Sequence, residues 1–389
     1  MRTYSTPEIA DHIASRKLGS KSAPPKLADR DDTAWTDRSE FWLQKVAPKT
    51  RQFTKRAGVG QPLILNGHGV RLRIDHGSLW VQNGFTHYPQ EREEWRFFSG
   101  DWRLPSRIVL LDADGTLSID AFAWLARHRV PLLQINWRGE VLQVVGDNAT
   151  AIDPKLAKAQ LAARGNGRGL RIARHLILGK ITNAIETLQH VLPKSATADA
   201  ALAKLRRESE LIRKRPPLTV NNLLGVEGRA GLAYFRSWCV IPMCWKGVVR
   251  RPIPDDWNWV GRRTSKVAGP NYPNRNATHP FSAMLNYAYA ILESQVRMQV
   301  VAAGYDPTIG FLHGNYGGKH AFVYDLMEPL RPRADRKLLE FVQTHTFSPG
   351  DFTLTSDGIC RLNPQLARHV VKVAGHADGL REYLLPLLS

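Results

Sequence analysis

Cysteine is scarce. Cys239, Cys244 and Cys360 are the only three in 389 residues, and they give neither a disulfide framework nor a C-x-x-C pair. That excludes a bridge-stapled scaffold and points to a reducing setting, the cytoplasm. Long apolar runs are also missing. None approaches the ~20 residues that span a bilayer, so no membrane segment is expected. The first residues lack the apolar stretch of a secretory signal. Acid is in short supply: 35 Asp and Glu face 54 Lys and Arg, for a net charge of +19 and a pI of about 10.1. A field of that sign favours a polyanionic partner, nucleic acid first and an acidic membrane surface second. What is present suits a globular chain. Hydrophobic residues make up 43%, and the length allows two domains and a sizeable core.

Residues 1–60 are polar and basic. Thr6-Pro7 starts a helix to about Lys17, with Thr as cap and Pro at the first helical position. A linker follows, then Trp35, Phe41 and Trp42 on a second short helix. Between 61 and 146 the segments shorten. Pro62–Leu65, Val70–Ile74, Ser78–Gln82 and Arg107–Leu111 are β-rich and separated by Gly, Asn and Asp. Their alternation and close spacing predict an antiparallel sheet or small sandwich. A helix over Ser118–His128 and two strands, Pro131–Asn136 and Val141–Val145, complete that part. From about 149 the spacing of apolar residues is helical, apart from a Trp- and Pro-rich stretch at 238–275. The expected class is α+β: a basic extension (1–60), a small β-rich domain (61–148) and a larger all-α domain (149–389).

Four features can carry chemistry. In Leu224-Gly-Val-Glu-Gly-Arg-Ala-Gly-Leu-Ala-Tyr, Glu227 shares a helical face with Ala230, Gly231 and Tyr234. A carboxylate among small residues lets another element or ligand approach; it reads equally as a surface acid near a helix N-terminus. His313 precedes a Gly-rich turn and then Asp325 and Glu328, three apart and set among Phe322, Val323, Leu326 and Met327. Both acids can share one helix face. Partly desolvated carboxylates need neutralising, by Arg331, Arg333 or a metal. Asp112-Ala-Asp114-Gly-Thr resembles the nucleophile string of haloacid-dehalogenase-type phosphatases, and fits a strand, turn and helix start as well. Arg229, Arg236, Arg262, Arg263, Lys266 and Arg331, with Trp257, Trp259 and Tyr272 among the later ones, suit phosphate contact with base stacking.

Three stretches in order resemble the CRISPR-associated integrases that acquire spacers. They are Gly225–Phe235 with Glu227; His279-Pro-Phe-Ser-Ala-Met-Leu-Asn followed by Ala303–His313; and Tyr324-Asp-Leu-Met-Glu-Pro-Leu-Arg-Pro332. The likeness spans roughly 61–375. It implies that the helical domain is catalytic, with Mg²⁺ or Mn²⁺ held by Glu227, His313 and Glu328 and with Asp325 close by. It also implies attack by a DNA 3′-hydroxyl on a repeat phosphodiester. The expected partners are double-stranded DNA (incoming spacer and repeat target), a second copy of the chain joined through the β-rich domain, and a small ferredoxin-fold protein. Two departures stand out: His279 where the family commonly has Asn, and Pro329 directly after Glu328, which disfavours helical geometry at Glu328. Two other readings predict different assays: a phosphatase acting through Asp112 and Asp114, and a DNA-binding subunit without catalysis.

Overall fold

The computed structural model describes residues 32–46, 61–87, 90–146, 152–261, 276–313, 320–374 and 379–384. The expected Thr6–Lys17 helix, the turn at 314–319, and Arg262, Arg263, Lys266 and Tyr272 lie outside the described residues.

The second expected helix is present as α1 (Asp32–Val46). Six strands then form one sheet: β1 (Leu63–Asp75), β2 (Ser78–Gln82), β3 (Glu94–Phe97), β4 (Ile108–Leu117), β5 (Leu132–Ile135) and β6 (Val141–Val145), in the order β3-β2-β1-β4-β5-β6. The expected antiparallel sheet is corrected here. β1 pairs parallel with β4, and β4 parallel with β5. The physical reason is burial on both faces. Ile64, Val109, Leu111, Leu133 and Ile135 join the core of the helical body. Leu65, Ile108 and Leu132 face a smaller core under α2 (Ile119–Arg127), with Trp124 and Leu125. Strands covered on both sides carry unbroken apolar runs such as Ile108-Val-Leu-Leu. Only where β1 emerges does it alternate, Val70 and Leu72 buried, Arg71 and Arg73 exposed.

The Asp112 string is no strand-end turn, because β4 runs through it to Leu117. Leu111 pairs with Asn66 and Ala113 with Gly67, so Asp112 is skipped by the ladder and sits at φ 46°. It is a β-bulge residue, and a short polar side chain tolerates that left-handed backbone. Beyond the bulge the strands lie so close that a Cβ on Gly115 would be 1.9 Å from the Val70 carbonyl oxygen.

The helical body contains α3 (Pro154–Gly165), α4 (Arg168–Val191), α5 (Ala196–Lys214), α6 (Val220–Ser237), α7 (Pro280–Ala302), α8 (Ala321–Met327), α9 (Arg331–Thr344), α10 (Pro364–Ala374) and α11 (Leu380–Leu384). α7 is apolar on nearly every side and packs against α8, α9, α10 and the sheet. His279 caps the N-terminus of α7: its Nδ1 accepts from the Phe281 N–H at 3.1 Å. The expectation of an all-α domain needs a second correction. Two short ribbons lie within it, β7 (Cys244–Trp245) with β8 (Thr346–Phe347), and β9 (Phe352–Leu354) with β10 (Cys360–Leu362). Their aromatics explain them: Trp245 packs on Trp257, Phe347 and Phe352, each 5.6–5.8 Å away between ring centres, and bulky aromatics favour extended backbone.

α1 docks on the far end of the chain. Asp351, fully buried, accepts from Arg38 Nε at 2.7 Å and Nη2 at 2.9 Å, Trp42 Nε1 at 2.7 Å and the Ser348 N–H at 2.8 Å. Trp42 itself is fully buried beside His345, His369 and Phe341. The sheet is tied to the same region, since Asn66 Nδ2 donates to the Pro364 carbonyl and Gln365 Nε2 to Thr86 Oγ1, both at 2.9 Å.

Candidate active site

The site forms where α8 ends. Asp325 and Glu328 do not share a partner, although they are three residues apart. Asp325 is fully buried and turns to the preceding loop. Its Oδ2 accepts from the N–H groups of Phe311 and Leu312, and its Oδ1 from the His313 N–H at 3.0 Å. Oδ1 also lies 2.7 Å from His313 Nδ1. A carboxylate only accepts, so Nδ1 carries the proton and Nε2 is the nitrogen left for a ligand. Gly310 permits this closeness: a Cβ there would lie 2.8 Å from Asp325 Oδ2. Asp325 therefore orients the imidazole. The hydrogen bond His313 donates to Asp325 raises its pKa above the ordinary value, burial opposing and the Glu328 charge adding.

Glu328 points elsewhere. α8 stops at Met327, as Pro329 requires, yet Glu328 keeps helical dihedrals (φ −53°, ψ −50°). The expected departure from helical geometry at Glu328 is thus absent, although the helix itself ends one residue before it. Glu328 Oε1 pairs with Arg331 Nη1 at 2.8 Å, and Oε2 with Lys180 Nζ at 2.6 Å. The same ammonium contacts Glu227 Oε1. Glu227 comes from α6, Glu328 from the end of α8 and Lys180 from α4, so three elements meet at one nitrogen. Burial pushes the Glu328 carboxyl up, but Arg331 and Lys180 outweigh it and hold it down at about 2. Burial likewise works against the charged Lys180, and Glu328 and Glu227 overcome it, raising its pKa. Side-chain exposure grades outward: Glu328 5%, Lys180 13%, Glu227 26% and His313 39%.

Lys180 is the residue the sequence reading missed. Its helix face also carries Asn183 and Thr187. Asn183 Nδ2 donates to the Pro329 carbonyl at 2.7 Å, and Thr187 Oγ1 to the Pro332 carbonyl at 2.8 Å. These two bonds fasten the Pro329–Pro332 turn, which carries Arg331 and follows Glu328, to α4. A signal was available: Lys180, Asn183 and Thr187 fall at i, i+3 and i+7 beside the apolar Ile177, Ile181, Ala184 and Leu188. Arg331 is fixed from below. Its guanidinium lies 5.3 Å from the Tyr289 ring centre, and Tyr289 and Tyr234 both donate to the buried Asp335, at 2.7 and 3.1 Å.

The expected DNA contacts separate. Arg236 is exposed on the last turn of α6. Arg229 is half-exposed but forms a two-pronged pair with the buried Glu208, and Arg331 belongs to Glu328. Arg333, an expected partner of the acids, pairs with Glu382 instead.

Among the described residues no group of three or more His, Cys, Asp or Glu side chains is gathered as it stands to hold a metal ion. The ammonium lies between Glu227 and Glu328, and His313 is anchored to Asp325. The donor set nevertheless fits a hard divalent cation. Two carboxylates already converge on one positive charge, and the His313 imidazole, held through Nδ1 by Asp325, lies near enough to feel the Glu328 charge.

Fold and site together define a helical acid–imidazole centre behind a mixed-sheet domain. Residues 63–374 match the family model for CRISPR associated protein Cas1, and the chain belongs to that family. It is similar to the CRISPR-associated endonuclease Cas1 1 of Archaeoglobus fulgidus, 27% identical over 79% of this chain and 85% of the relative. The Cas1 1 endonuclease of Thermus thermophilus is 28% identical over 83% and 90%. In fold it resembles a CAS1 protein from Thermotoga maritima, with a TM-score of 0.62 and 18% identity over 84% of this chain and 94% of that one. A casposase bound to integration product gives a TM-score of 0.61 and 24% identity over 81% of each chain. No helix among the described residues is long and apolar enough to cross a membrane.

Proposed function

We propose that the chain is a metal-dependent DNA endonuclease and integrase that inserts short DNA into a CRISPR array. Family membership supplies the class, and relatives named as endonucleases support the activity. The observation that carries the site is the convergence of Glu227 and Glu328 on the Lys180 ammonium, with His313 near enough to Glu328 to feel its charge. Glu227, Glu328 and His313 Nε2 would hold Mg²⁺ or Mn²⁺. Bound there, the cation would draw in a DNA phosphate that two bare carboxylates repel, and would stabilise the leaving 3′-oxygen. Asp325 keeps Nε2 presented and Arg331 keeps Glu328 ionised. The nucleophile is the 3′-hydroxyl of the incoming DNA, or water in nuclease action, so no protein nucleophile is needed. Arg236 and the basic stretch containing Arg262, Arg263 and Lys266 would meet the backbone of double-stranded DNA. The reading includes a homodimer joined through the β-rich domain and a small ferredoxin-fold partner.

The test is strand transfer of a short duplex into supercoiled target with Mn²⁺. Loss of transfer in Glu227→Ala, His313→Ala and Glu328→Ala, with DNA binding kept, supports the assignment. Unchanged activity in all three would sink it. Salt-sensitive DNA binding without any transfer would instead mark a non-catalytic subunit. The bulge position of Asp112 gives the phosphatase alternative no support.

A further inference from the structure

Lys180 contacts one oxygen of Glu227 and one of Glu328, the two carboxylates assigned above to a divalent cation. We propose that Lys180 is a built-in counter-ion: it holds these acids together in the metal-free protein, and a divalent cation must displace it to bind between them. The inference rests on the proposed metal site and goes beyond it.

Three observations support it. Two carboxylates brought to one point repel each other unless a positive charge intervenes, the more so where burial lowers the dielectric. Arg331 answers for the inner oxygen of Glu328, which leaves the shared space between Glu328 and Glu227 to the lysine. The second observation is the kind of cation. An ammonium on a four-carbon stem is a point charge that can withdraw by rotating its own bonds. Arg331, by contrast, is a planar fork set over Tyr289 and cannot retreat without unpacking that ring. The third is access. Glu227 is a quarter exposed, so solvent ions reach the outer side of the lysine without the helices parting. Two other buried acids are neutralised by groups that do not leave: Asp325 by three backbone N–H groups, Asp351 by a two-pronged arginine. At the buried Glu208 a lysine, Lys204, shares one acid with Arg229, whereas Lys180 bridges two acids.

The experiment is Mn²⁺ titration calorimetry on the full chain without DNA, comparing the natural protein with Lys180→Met, which keeps the stem and drops the charge. Lys180→Gln is a second neutral variant should the methionine protein fail to fold. Thermal melts in chelator and in saturating Mn²⁺ accompany it. Expected are Mn²⁺ affinity about tenfold or more tighter in the neutral variants, a lower melting temperature in chelator, and a larger rise on adding Mn²⁺ than in the natural protein. Glu227→Gln should weaken Mn²⁺ binding with or without the lysine. Equal or weaker Mn²⁺ affinity in both neutral variants, with the Glu227 dependence intact, overturns the counter-ion role and leaves the metal site standing. Absence of any Glu227-dependent Mn²⁺ binding overturns both.

Discussion

Two buried carboxylates in the helical body are neutralised in different ways. Asp351 is closed: two guanidinium nitrogens, an indole N–H and a backbone N–H occupy its oxygens, and it is itself fully buried. Glu328 is equally buried, but its ion pairs lead outward through Lys180 to the partly exposed Glu227. The nearby histidines follow suit. At Asp351, burial and the Lys45 charge push His345 down to about 3, and burial with Lys45 pushes His369 down to about 4. At Glu328, the carboxylate of Asp325 raises His313. One region uses charge to fasten elements together, and the other keeps charge available for exchange.

The sharpest way to break this contrast is to remove one acid from each region. Glu328→Ala or Glu227→Ala should lower metal-dependent strand transfer by a thousandfold or more, on the order of the several kcal/mol a metal supplies. Equal transfer loss per folded molecule in Asp351→Ala would dissolve the distinction. Asp351→Ala should instead cost about 3–5 kcal/mol of stability by stranding Arg38, measured by urea unfolding, and Mn²⁺ should not restore it. Asp325→Asn tests the hinge between the regions' two styles. Weakening the hold on His313 Nδ1 should cost about 10–100-fold in transfer or Mn²⁺ affinity, and an unaltered protein would remove Asp325 from its orienting role. The mildest test is acid. His345 and His369 are neutral when folded, whereas the unfolded chain protonates them near 6.5, so the unfolded state binds more protons below that pH. Stability from this pair is complete above about pH 6.5 and falls as pH drops toward 4 and then 3. Thermal melts across that window should show the fall, and His345→Phe should flatten it. A profile unchanged in the variant would place the acid sensitivity elsewhere.

Much of this arrangement was legible in the sequence. The acids, the imidazole and the strand-forming segments sit in local patterns that period and spacing expose. Parallel pairing was not legible, because Ile108-Val-Leu-Leu reads the same in a doubly covered strand as in any short apolar run. Lys180 was hidden differently. One lysine among 54 Lys and Arg residues carries no signal until Glu227 and Glu328 are brought to it. The split between Asp325 and Glu328 was also out of reach, since helical spacing puts both on one face while Gly310 and the two prolines decide where each side chain goes.

The docking of α1 bears on how the chain is made. Arg38 and Asp351 are 313 residues apart. At ~5–20 residues per second of synthesis, Arg38 waits roughly fifteen to sixty seconds for its acid to be made. Trp42 spends that interval without the Phe341, His345 and His369 rings that later enclose it. Asp37, Arg38, Glu40 and Lys45 interleave with Trp35, Phe41 and Trp42 along α1, a charged helix that suits a segment which must stay dissolved while it waits. Its docking therefore cannot precede the synthesis of Asp351, which follows every residue of the acid–imidazole centre in the chain.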